Sequence, residues 1–124
     1  HVRVFPYLSL ERLLPLVSVL IHSGAIGATL RCAAAGVPQL VFPRFNDQFD
    51  NAQRVQRLGL GMVLQPQEIT DLNSEQAMRL LRRLLSDRSI TQNCKQVALQ
   101  HHGSGVNLAA EQIDLIFRQR CEKS

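Results

Sequence analysis

Residues 22–51 read HSGAIGATLRCAAAGVPQLVFPRFNDQFDN. A histidine and a glycine turn open the stretch, and an Ala-rich run follows that stops at Gly36. Glycine at such a stop supplies the left-handed conformation that ends a helix. "VPQLVFP" comes next, a short apolar run bracketed by Pro38 and Pro43. Its length suits a strand buried on both faces, as in a parallel sheet. "FNDQFDNAQRVQRLG" then reads as a polar loop leading into a helix that stops at Gly59.

Working outward, "LVSVLI" (16–21) before the stretch is a continuous apolar run whose length suits a strand buried on both faces, and "LGMVLQ" (60–65) after it reads as a third buried strand. Strand, helix, strand, helix, strand is the order of a right-handed parallel α/β sheet. The fold class is therefore α/β, a partial Rossmann-like parallel sheet followed by helices. "LSLERLLPL" reads as one or two helical turns capped by Ser9 and stopped at Pro15. "HVRVF" alternates apolar and polar residues as a strand does. A chain that opens on a strand reads as a piece of something longer. From Ser74, a good N-cap, the pattern turns helical, with Ala77, Leu80, Leu81, Leu84 and Leu85 on one face. Helices around 89–101 and 106–120 complete the chain, separated by Gly103-Ser104-Gly105.

The 124 residues suit one domain, and 45% hydrophobic with 19% charged residues suits a folded one. A formal net charge of +4 favours anionic partners without marking a nucleic-acid tail. Cys32, Cys94 and Cys121 have no short pairing motif. They read as buried or incidental thiols in a reducing, cytoplasmic setting. No apolar run reaches the roughly 18 residues of a membrane span.

Ligands of such sheets bind at the carboxyl ends of the strands. His22-Ser23-Gly24 leaves one strand end and Asp47-Gln48 follows the next. If the two strands are neighbours, one β-α-β unit brings both loops to the same edge. Gly24 and Gly27 let backbone approach a ligand, and the helix start offers unpaired amides and a positive dipole end. His22 adds a hydrogen bond or a positive charge. Asp47 and Gln48 carry the acceptors and donors that pair with sugar hydroxyls. Phosphate beside hydroxyls points to a nucleotide-sugar. Each feature also has a plainer reading: a structural histidine, an ordinary turn, an N-cap region.

The motifs His22-Ser23-Gly24-Ala25-Ile26-Gly27-Ala28-Thr29, Ala34-Ala35-Gly36-Val37-Pro38-Gln39 and Asp47-Gln48 with Asn51-Ala52 resemble the donor-binding half of GT-B fold glycosyltransferases. The group includes antibiotic and macrolide glycosyltransferases, secondary-product glycosyltransferases and rhamnosyltransferases, and its pattern is H-H-G-G-A-G-T-T, A-A-G-V-P-Q, D-Q-x-x-N-A. The resemblance implies that His22, Ser23, Gly24, Ala25, Ile26, Gly27 and Ala28 hold the donor diphosphate. It implies that Asp47 and Gln48 hold the sugar and that Tyr7 and Leu8 border the base. Ser23, Ala25 and Ala28 depart from the pattern. Leu30 stands where relatives using uridine donors often carry a ribose-binding Glu, which favours a deoxythymidine-diphosphate sugar and leaves a uridine-diphosphate sugar as the alternative; the resemblance alone makes rhamnose the first sugar.

The resemblance also implies that residues 1–124 are the donor portion of a larger hexosyltransferase. Its acceptor domain, with the general base, lies outside them. This portion holds no catalytic residue and no metal or other cofactor, is inactive alone, and self-associates through a bare sheet edge. The rival readings are a regulatory nucleotide-binding module without chemistry and a basic nucleic-acid binder resting on "RLLRRLL", Arg118 and Arg120. Arg79, Arg82 and Arg83 on the polar side of an amphipathic helix read more simply as a solvated face. One Tyr and no Trp leave little for base stacking. His101-His102 on a helix point about 100° apart, a poor arrangement for one metal ion.

Overall fold

Gln39, Leu40 and Val41 are all buried and form the middle strand of a three-stranded parallel sheet in the computed structural model, which describes residues 1–100. In chain order the elements are α1 (Leu10–Leu13), β1 (Leu20–His22), α2 (Ile26–Ala35), β2 (Gln39–Val41), α3 (Asp47–Arg57), β3 (Gly61–Val63), α4 (Pro66–Thr70), α5 (Ser74–Ser86) and α6 (Arg88–Gln100). The sheet order is β1-β2-β3, with Leu20 opposite Gln39 and Gln39 opposite Gly61. Both crossovers are helical, α2 between β1 and β2 and α3 between β2 and β3, as the order of apolar runs predicts.

Gly36 ends α2 at φ 71°, and its amide bonds back to the Ala33 carbonyl. Gly59 follows α3 at φ 65°. At Gly61 a Cβ would collide with the backbone carbonyl of Gln39, so only glycine lets β3 lie this close to β2. The main core joins the sheet to the later helices through Leu40, Val41, Val55, Leu60, Leu84, Ile90 and Cys94. A smaller cluster of Leu14, Cys32 and Val37 seats α1 and the following turn on α2.

Several expectations are corrected. "HVRVF" forms no strand, and Val2 and Val4 are 92% and 91% exposed. Period-2 alternation makes a strand only where a partner supplies the ladder, and none lies beside it among the described residues. "LVSVLI" is not a doubly buried strand. Pro15 continues α1 into a 3-10 turn over Leu14–Leu16, and β1 keeps three residues at the sheet edge with Ile21 half exposed. Ser9 occupies the N-cap of α1 without a side-chain bond. The cap of α5 is Asn73 rather than Ser74, since Asn73 Oδ1 accepts from the Gln76 amide while Gln76 Oε1 accepts from the Asn73 amide. The helix expected at 89–101 is α6. The last helix, Gly103-Ser104-Gly105, His101-His102, Arg118, Arg120 and Cys121 lie outside the described residues. Among the described residues no helix is long and apolar enough to cross a membrane.

Candidate functional site

Parallel pairing of β1 with β2 places the two loops after them side by side. The Gly24 turn rests directly on the first turn of α3. A Cβ on Gly24 would meet the Gln48 carbonyl at 3.0 Å and Val41 Cγ1 at 3.1 Å. Asn51, 4% exposed, donates from Nδ2 to the Gly24 carbonyl at 2.9 Å. Position 24 calls for glycine, since φ is 93° and the packing against α3 leaves no room for a side chain. Gly27 is different. It is the second residue of α2, and a Cβ there would face open space.

Helix α2 begins at Ile26 without a side-chain cap. Its first intrahelical bond runs from the Thr29 amide to the Ala25 carbonyl at 3.0 Å, so the amides of Ile26, Gly27 and Ala28 have no partner within the helix. Ala25, Ile26 and Gly27 are exposed. This end carries no acidic side chain and gathers partial positive charge from the helix dipole. The Gly24 amide does not join it, because it donates to His22 Nδ1 at 3.0 Å.

The His22 ring is tied into the fold. Its Nε2 bonds Gln39 Oε1 at 2.8 Å while Nδ1 accepts from Gly24, so both ring nitrogens are spent inside the protein. Burial holds its pKa below the ordinary histidine value, with the Gln39 bond opposing in part. Of the two roles open to it, a hydrogen bond or a positive charge, burial of the ring works against the charge. Gln39 is fully buried and bonds onward from Nε2 to the Thr29 carbonyl at 3.2 Å.

On the other side, Asp47 and Gln48 are the first two residues of α3 rather than loop. Asp47 is exposed at this edge. Gln48 Oε1 accepts from the Arg44 amide at 2.9 Å and from Phe45 at 3.4 Å, which ties the approach loop to the helix. Asn46 turns the chain into α3 at φ 52°, the one non-glycine residue at positive φ among those described. Tyr7 and Leu8 are 83% and 45% exposed and line a shallow apolar cleft with Ser9, Arg12, Leu13 and Leu16.

Gln39 and Asn51 are the residues whose roles the sequence left unread. Each sits in a quoted motif. The available signal was a polar residue in an apolar setting: Gln39 heads a buried strand, and Asn51 lies four residues before Val55, on the core face of α3. Cys32, fully buried with its pKa pushed up to about 12, is a core thiol rather than a nucleophile. Arg79, Arg82 and Arg83 are exposed, and Arg79 lies 3.7 Å from Glu75 one turn earlier, as on a solvated face.

Residues 1–113 match the family model described as "Erythromycin biosynthesis protein CIII-like, C-terminal domain". The chain is 30% identical over 105 residues to an aclacinomycin-T 2-deoxy-L-fucose transferase of Streptomyces galilaeus, covering 84% of itself and 23% of that protein. Among solved structures it is similar to the glycosyltransferase VinC in complex with dTDP, at TM-score 0.74 and 25% identity, over 94% of this chain and 29% of that one. It is also similar to spinosyn rhamnosyltransferase SpnG complexed with thymidine diphosphate, at TM-score 0.58 and 27% identity, over 65% and 22%. The chain thus spans less than a third of the length of each.

Proposed function

The chain belongs to the EryCIII-like C-terminal domain family of GT-B glycosyltransferases, and from that premise we propose that it is the sugar-donor half of an enzyme that transfers a sugar from a nucleoside diphosphate to an acceptor hydroxyl. The observation that carries the reading is the contact between the two strand-end loops. The turn before the uncapped start of α2 touches the first turn of α3, which bears the exposed Asp47, and the Asn51–Gly24 bond joins the two.

The amides of Ile26, Gly27 and Ala28 hold the diphosphate and stabilise the charge that gathers on it as the glycosidic bond to the leaving group breaks. His22 shapes the turn as a neutral ring rather than adding a cation. Ser23 and Ala25 border the same turn, and Ala28 offers its amide without a hydroxyl. Asp47 binds sugar hydroxyls together with the amide nitrogen of Gln48, whose oxygen is already spent on the loop. Tyr7 and Leu8 border the base. Leu30, 60% exposed on the same helix, offers no acceptor to a ribose hydroxyl. That favours a deoxythymidine donor, and both similar structures, VinC and SpnG, are complexes with thymidine diphosphate. For the sugar we take a deoxyhexose, rhamnose first, in line with the SpnG name and the 2-deoxy-L-fucose transferase. The base that deprotonates the acceptor is assigned to residues outside these 124, so the chain alone binds donor without transferring it.

Asp47→Ala tests the reading. Affinity for the nucleotide-sugar should fall by about 1–3 kcal/mol, the worth of a lost polar contact, while affinity for free thymidine diphosphate stays near wild type. Equal loss for both ligands makes Asp47 a residue of the loop's fold and removes it from the sugar site.

A further inference from the structure

Three consecutive hydrogen bonds run inward from the turn before α2, and each has only one possible direction. The Gly24 amide can only donate, so His22 Nδ1, 3.0 Å away, is the acceptor. The Thr29 carbonyl can only accept, so the Gln39 amide nitrogen faces it at 3.2 Å. This turns the Gln39 oxygen toward His22 Nε2 at 2.8 Å, and that nitrogen must carry the proton. The two ends of the relay therefore require the same tautomer, and an imidazolium would set N–H against N–H at Gly24.

We propose that Gln39 is a positioning residue: its buried carboxamide keeps a proton on His22 Nε2, which leaves Nδ1 to accept from the Gly24 amide and so fixes that amide and the entry to α2. Gln39 is 0% exposed and touches no ligand from that position. Its effect on a ligand passes through the ring and the turn. That the turn serves a nucleoside diphosphate rests on the function proposed above; the tautomer does not.

The test uses the 15N-labelled chain at pH 7 and the ring nitrogen shifts of His22, assigned by comparison with His22→Gln. The wild type should show a pyrrole-type Nε2 and a pyridine-type Nδ1. The opposite tautomer, or an imidazolium, overturns the proposal. Gln39→Met keeps the volume and removes both Gln39 bonds, leaving the Gly24 amide alone to select the tautomer; if Gln39 positions the ring, the two ring shifts move toward each other, and unchanged shifts assign the tautomer to Gly24 and overturn the proposal. Should that variant not fold, Gln39→Glu serves. Its carboxylate still accepts from Nε2 and should raise the His22 pKa. No rise overturns the proposal. Thymidine diphosphate titration separates the two readings. Binding about tenfold weaker in Gln39→Met supports the positioning role, and equal binding with an altered ring overturns it. No binding by a wild type that shows the stated tautomer overturns the donor reading and leaves the Gln39–His22 relay standing.

Discussion

His22 is held neutral by burial, and this has a thermodynamic consequence. Its folded pKa lies below the ordinary value of 6.5, so in the window below 6.5 the unfolded chain binds the proton that the folded chain refuses. Stability is therefore lost as pH falls through 6.5, and the loss ends once pH passes the folded pKa. Denaturant titrations at several pH values should show a smaller acid loss in His22→Gln than in wild type, and an identical pH profile would count against the neutral ring. Gly24 carries a second prediction. Gly24→Ala places a Cβ at positive φ against the Gln48 carbonyl and Val41, and should cost at least about 1–2 kcal/mol in the same titrations. The need for glycine at this turn was legible from the strand-turn-helix order. The protonation of His22 was not, because it depends on how the fold buries the ring, with a partner 17 positions away in sequence opposing in part.

At the level of elements, the apolar runs and glycine stops gave α2, β2, α3 and β3 close to their observed bounds, since buried strands and helix ends leave local marks. Caps and edges were less legible. Asn73→Ala should destabilise α5 by about 1 kcal/mol, seen as a shift in unfolding midpoint without a change in slope, while Ser74→Ala should be close to neutral. The reverse ranking would restore Ser74 as the cap. Two adjacent residues, Asn and Ser, both cap well, and only the reciprocal bonds with Gln76 decide between them. The short helix α4 at Pro66–Thr70 was likewise unread, although its start shows a capping box of Gln65 with Glu68 behind Pro66.

Among the described residues the three-stranded sheet is unpaired along both outer strands, β1 and β3, and the β1 edge carries the exposed Ile21. The Leu20 amide and His22 carbonyl bond to β2, so the polar groups of Ile21 between them point away from it, and no strand pairs there among the described residues. Ile21 is 49% exposed, and Val2, Val4, Tyr7 and Leu16 are more so. Such an edge invites pairing. The 124-residue chain should sediment with a mass that rises with concentration, and Ile21→Lys should reduce the rise; a concentration-independent monomer with cooperative unfolding would dismiss the idea. By itself the sequence determined the parallel α/β order, the glycine turn at Gly24 and the likeness to a donor-binding half, because chain order, helix stops and motif spacing are local properties. Only the tertiary structure decided that "HVRVF" is no strand, that His22 is spent on Gly24 and Gln39, and that Asn51 bonds the two loops together. A strand needs a neighbour and a buried polar side chain needs a partner, and both come from residues far away along the chain.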